Sequence, residues 1–149
     1  MMYDSTADTL QHIRRVQELL GAFAAELIRR GEVHDRSKLG PIEKEARDAN
    51  PPNYNHRYGQ PHARSAAMQV AIDHHHSMNP HHPEFYGENG ISGMDLGDLV
   101  EMFFDWKAAG EPYEHDTIAA SIDINSRRYN LNPQLVAIFS NTARRLGWI

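Results

Sequence analysis

The residues with chemical potential open at His34-Asp35, with Lys38 three positions after the aspartate. A neutral imidazole beside a carboxylate is a ligand pair suited to a divalent cation such as Mn, Fe, Zn or Mg. Two donors do not make a site, so further ligands must come from elsewhere in the chain. Five of the ten histidines crowd into one internal stretch, at His74, His75, His76, His81 and His82. Asn79, Pro80 and Pro83 interrupt that run, as they would not a terminal tag. His12 lies upstream, and Asp98, Glu101 and Asp105 lie downstream. Cysteine is absent, which excludes disulfides, thiolate zinc sites and a cysteine nucleophile.

Composition narrows the class. With 149 residues, 40% of them apolar and 23% charged, the chain reads as one soluble domain over 1–149. The formal charge of −5 argues against holding duplex nucleic acid through phosphate contacts. A small anionic substrate would instead need a local positive centre, which bound metal could supply. No apolar run approaches the roughly 18–20 residues that span a membrane, and MMYDSTADTL shows no signal-peptide pattern, so a cytoplasmic protein with no membrane partner is expected. The oligomeric state is not legible, and a homo-oligomer remains open.

The elements that must position these donors are helical. Leu10, Ile13, Val16, Leu19, Leu20, Phe23, Ala24, Leu27 and Ile28 recur at helical steps, predicting one long amphipathic helix over 5–30 that stops at Gly31. His12 sits about 80° from the centre of that apolar stripe, at the edge of the face expected to be buried. Pro41 suits the first position of a short polar helix running to about Ala49. Residues 50–61 read as a loop. A third helix is expected from about His62 to His76, with Ala63, Ala66, Ala67, Val70, Ala71 and His74 on one face. On that face His74 points inward and His75 lies about 100° round from it.

Residues 85–94 read as a glycine-rich loop. A fourth helix over 95–109 presents Leu96, Leu99, Val100, Met102, Phe103 and Trp106 on its apolar face, and Asp98, Glu101 and Asp105 along one polar edge. Helices over 117–129 and from Asn132-Pro133 to Gly147 complete an all-α chain of five or six helices without strands.

The order H…HD…HH…HH…D, with the lysine of the HD stretch, resembles the HD-domain superfamily of metal-dependent phosphohydrolases. HDRSKL, HHxxxNxHHPE and DLVEMxxDWKAA also resemble a family of small bacterial and phage proteins. The resemblance covers residues 12–105 and implies a compact HD-domain-like bundle holding one or two divalent ions (Mn, Fe, Co, Zn, Ni or Mg). It implies a first ligand set of His12, His34, Asp35 and Asp105. The second set draws on His74 or His75 and His81 or His82, with Asp35 bridging. The implied activity is hydrolysis of a small phosphate ester, nucleotides foremost, through attack by metal-bound hydroxide. Lys38, with Arg36, Lys107 and Arg128, is then expected to meet the substrate phosphate. The same ligand pattern also resembles HD-type di-iron oxygenases, and a metal-stabilised helical binding module is a non-enzymatic alternative.

Other side chains keep two readings. Asp98, three residues after Asp95, fits a capping box. Glu101 either orients a histidine or is a solvated charge, and Glu84 either holds one of His81/His82 or lies on a loop surface. His76 is expected to be exposed. Asn125 and Arg128 either reach an anion or pair with the acidic edge of the fourth helix.

Overall fold

The computed structural model describes residues 3–51, 65–113 and 116–149, and it is all-α, with no strand among them. It divides into two compact units, 1–34 and 35–149. The first is one helix, α1, Thr6–Val33. The second holds α2 Pro41–Asp48, α3 Ala66–Met78, α4 Leu96–Gly110, α5 Ile118–Arg128 and α6 Pro133–Arg145. Two 3₁₀ segments complete it, Arg36–Leu39 before α2 and Pro83–Gly93 between α3 and α4. The expected loop over 50–61 and the start of the third helix at His62 fall largely outside the described residues.

α1 departs from expectation in two ways. Gly31 does not stop it. The helix runs to Val33, and the chain turns at His34 and Asp35. Asp35 adopts φ 55°, ψ 17°, the left-handed region that costs most L-residues on the order of 1 kcal/mol but that aspartate tolerates with its short polar side chain. In addition, none of the α1 residues is buried: Leu10, Leu19, Leu20 and Ile28 are all more than half exposed. Periodicity identifies the apolar face of a helix; it does not say what covers it.

In the second unit the core lies between α4, α5 and α6. Met102, Phe103, Trp106, Ile118, Ile122, Leu131, Phe139 and Ala143 are buried together. Phe103 stacks on Phe139 at 5.0 Å between ring centroids, and Trp106 meets the same ring edge-on at 5.6 Å. α4 begins as expected: Asp95 and Asp98 form a reciprocal capping box, and Asp98 also accepts from the Tyr86 hydroxyl at 2.5 Å. With Met102, Phe103 and Trp106 committed to the core, Glu101 and Asp105 fall on a different edge of the helix.

α3 packs on α2 and on both 3₁₀ segments. Its inward face is the expected one at Ala71 but not at Val70 and His74. Ala71 and His75 are the buried residues, Val70 is 59% exposed and His74 is half-buried. The true inward stripe continues at Asn79 and includes polar side chains, so a count of apolar residues placed it one step away. Ser65 caps the helix through the Met68 amide. The stretch expected as a loop at 85–94 is mostly 3₁₀, broken at Gly87 (φ 55°, ψ −127°) and Gly90 (φ 47°, ψ −128°), conformations that only glycine takes readily.

Candidate metal centre

Asp35, at the left-handed turn, meets the imidazoles of α3 and of the turn that follows it. His75 Nε2 is 3.2 Å from Asp35 Oδ1, and His81 Nε2 is 3.5 Å from the same oxygen. His82 Nε2 lies 2.9 Å from His75 Nε2. Donor atoms of Asp35, His75, His81 and His82 all lie within 4.8 Å of one another. Ligands bound about 2.0–2.3 Å from a single ion are at most about 4.6 Å apart, so this cluster is near the required size. These four residues could hold a metal ion. His75 and His81 are buried, which is rare for imidazoles without a structural or chemical role.

The far side of each buried ring faces a carboxylate. His75 Nδ1 is 3.0 Å from Glu43 Oε2, and His81 Nδ1 is 3.0 Å from Glu101 Oε1. A carboxylate against Nδ1 favours the proton on that nitrogen and leaves the Nε2 lone pair facing Asp35. Glu43 is fully buried on α2. Its Oε1 accepts from His74 Nδ1 at 2.9 Å, and Arg47 Nε lies 4.0 Å from Oε2. Around the same ring, Ser37 Oγ is 3.2 Å from His75 Nδ1, and Asn79 Nδ2 donates to Ser37 Oγ at 2.9 Å and to the His75 carbonyl at 2.7 Å.

The electrostatics suit cation binding. Burial works against the Asp35 carboxylate, but the Lys38 ammonium paired with its Oδ2 holds its pKa well below the usual range. Burial likewise opposes ionisation of Glu43, and hydrogen bonds from Ser37 and His74 bring its pKa below that of an ordinary glutamate. His82 is pushed down to about 3 by burial and by the neighbouring His81, His75 and His76, with Asp105 pulling the other way. The ring is therefore neutral near pH 7, with one nitrogen lone pair open to a cation.

The remaining expected residues are placed as follows. A carboxylate oxygen of Asp105 lies within 4.8 Å of one of Asp35. His34 is the half-buried last residue of the first unit, and His12 lies on α1 with its side chain exposed. His74, expected inward, is not among the converging donors; it hydrogen-bonds Glu43 instead. Lys38 pairs with Asp35 Oδ2, while Arg36 is exposed. Lys107 pairs with Glu111 and lies 5.5 Å from the Trp148 ring centroid. Arg128 pairs with Glu84 at 2.7 Å rather than with the acidic edge of α4.

Sequence reasoning missed Glu43, Ser37 and Asn79, and took His76 as exposed where it is half-buried. An acidic residue in the first turn of a helix has an ordinary explanation in the helix dipole, which hid Glu43. The available signal was the run of three histidines on α3, whose rings need a polar partner once one of them is buried.

A family of unknown function (DUF5662) matches residues 1–145, and the chain belongs to that family. No curated protein and no solved structure matches it.

Proposed function

We propose that this protein is a metal-dependent hydrolase of small phosphate esters, nucleotides being the first class to test, with its cation centre on Asp35, His75, His81 and His82. The observation that carries the reading is the shared focus: His75 and His81 both present Nε2 to Asp35 Oδ1, and each has a carboxylate behind its Nδ1. Buried carboxylate–histidine pairs aimed at one point are the arrangement that orients metal ligands. The likeness of HDRSKL and the distal Asp105 to the HD superfamily supplies the reaction class.

When bound, a divalent cation would acidify a water molecule and neutralise phosphoryl oxygens. The protein's own residues divide the remaining work. Asp35 gives Oδ1 to the centre while its Oδ2 is held by Lys38. Lys38 is one-third exposed, so its ammonium borders both Asp35 and solvent, where a phosphate would enter. Glu43 and Glu101 fix the two rings. Three imidazoles and one carboxylate favour Zn, Fe, Co, Ni or Mn over Mg, which prefers oxygen donors.

The test is phosphate release from a panel of nucleotides and simple phosphoesters, using protein loaded separately with Mn, Co, Zn, Fe and Ni. Wild type is expected to turn over at least one member, and Asp35→Asn to lose both that turnover and the ion. Metal retained with no turnover on the whole panel would replace this reading with a metal-stabilised binding module. Oxygen consumption by the iron-loaded protein would replace it with the oxygenase.

A further inference from the structure

A second group of donors stands beside the first. Ligand atoms of His76, His82 and Glu84 lie within 4.8 Å of one another, and all three residues are half-buried. The His76 and His82 rings are 4.9 Å apart between centroids. These residues come from the end of α3 and from the His82-Pro83-Glu84 turn. Asn79-Pro80 ends the helix and brings the chain back over its last turn.

Glu84 is held in place for such a role. Its Oε1 accepts from Arg128 Nη2 at 2.7 Å and lies 3.3 Å from the Tyr129 hydroxyl. Its Oε2 is buried and has no hydrogen-bond partner. A buried carboxylate oxygen without a donor costs about 1–3 kcal/mol, or more when charged, unless something else satisfies it. One oxygen of Glu84 is thus anchored and the other is left for a ligand, as is usual for a metal-binding carboxylate with an outer partner.

We infer that His76, His82 and Glu84 form a second divalent-cation site. His82 belongs to both sets of donors, its Nε2 facing His75. Three protein donors leave coordination positions open, the pattern of an ion that meets substrate rather than one that only braces the fold. Arg128, 54% exposed, stands beside this opening and gives an anionic substrate group a second positive contact. The Glu84 charge offsets the guanidinium, which makes a cation beside it tolerable. The inference rests on the proposed first centre for one ligand only, His82.

The test is Co(II) titration of the full chain, followed by visible absorption and elemental analysis, on wild type, Glu84→Gln, His76→Gln and Asp35→Asn. Glu84→Gln and His76→Gln are each expected to bind one ion fewer than wild type and to keep the remaining affinity within about threefold. Asp35→Asn should instead weaken the ion those two variants retain, which separates failure of the first centre from failure of the second. Circular dichroism melts check that each variant folds, and His76→Gln, at a half-exposed position, stands in if Glu84→Gln does not. Unchanged stoichiometry and affinity in both Glu84→Gln and His76→Gln would overturn the site. So would loss in Glu84→Gln with His76→Gln unaffected, because Glu84 would then act only as a brace for the turn.

Discussion

Replacing Glu43 by glutamine removes a charge and almost no volume, and it puts the orienting role of this buried carboxylate to a direct test. Glu43 presents two acceptor oxygens, one 2.9 Å from His74 Nδ1 and one 3.0 Å from His75 Nδ1. Glutamine presents one acceptor and one donor. If its oxygen stays on His74, its NH₂ faces His75 Nδ1, which must then accept. The His75 proton moves to Nε2, the nitrogen 3.2 Å from Asp35 Oδ1, and the lone pair meant for a cation is lost. The opposite amide orientation spares His75 but sets a donor against His74, so the variant divides between a competent and an incompetent tautomer. Loss of an outer partner of this kind typically costs 10- to 100-fold in metal affinity, or about 1.4–2.8 kcal/mol. The assay is competition with a chromophoric chelator for Co(II) or Zn(II), with ¹⁵N chemical shifts reporting the His75 tautomer. Affinity within twofold of wild type in a folded Glu43→Gln chain, with Nδ1 of His75 still protonated, would refute the reasoning.

Three further outcomes follow from the same structure. Phe139→Ala removes the ring stacked on Phe103 and met edge-on by Trp106, and should cost about 3–5 kcal/mol in chemical denaturation of the second unit; a loss under about 1 kcal/mol would show that this cluster is not the core. The metal-free chain should lose stability as pH falls from about 6.5 to about 3. In that window unfolded His82 binds a proton that the folded ring, with a pKa of about 3, does not, so the unfolded state binds more protons and stability rises with pH. Each unit of difference is worth about 1.4 kcal/mol, so a melting temperature flat across that range would contradict the burial assigned to His82. Lys38→Met should weaken phosphate-ester turnover more than metal affinity, since the lysine pairs with the Asp35 oxygen that does not face the histidines; equal losses in both would place Lys38 with the ligands' support instead.

How much of this was legible in the sequence depended on what each signal measures. The α4 apolar face and its Asp95/Asp98 capping box follow from helical spacing and local hydrogen bonding, and both are present. Glu101 was readable as a partner for a histidine because it shares an edge with Asp105. The inward orientation expected of His74 falls to His75 because the inward stripe of α3 contains His75 and Asn79, and a hydropathy count does not see buried polar residues. Gly31 marks a helix stop by composition, yet glycine is tolerated within helices, and the break comes at the left-handed Asp35. Glu43 was out of reach because its role depends on the packing of α2 against α3, a long-range contact with no local mark. The α1 stripe shows the same limit: spacing gives the face of a helix and not its neighbour.

The most direct measurement is a crystal structure of the protein grown or soaked with Mn, Co or Zn, with anomalous data collected at the absorption edge of that metal. The expected result is a peak about 2.0–2.3 Å from Asp35 Oδ1 and from the Nε2 atoms of His75, His81 and His82. A metal-saturated crystal with no peak among these four residues, or with ions only on surface carboxylates, would contradict the proposed centre.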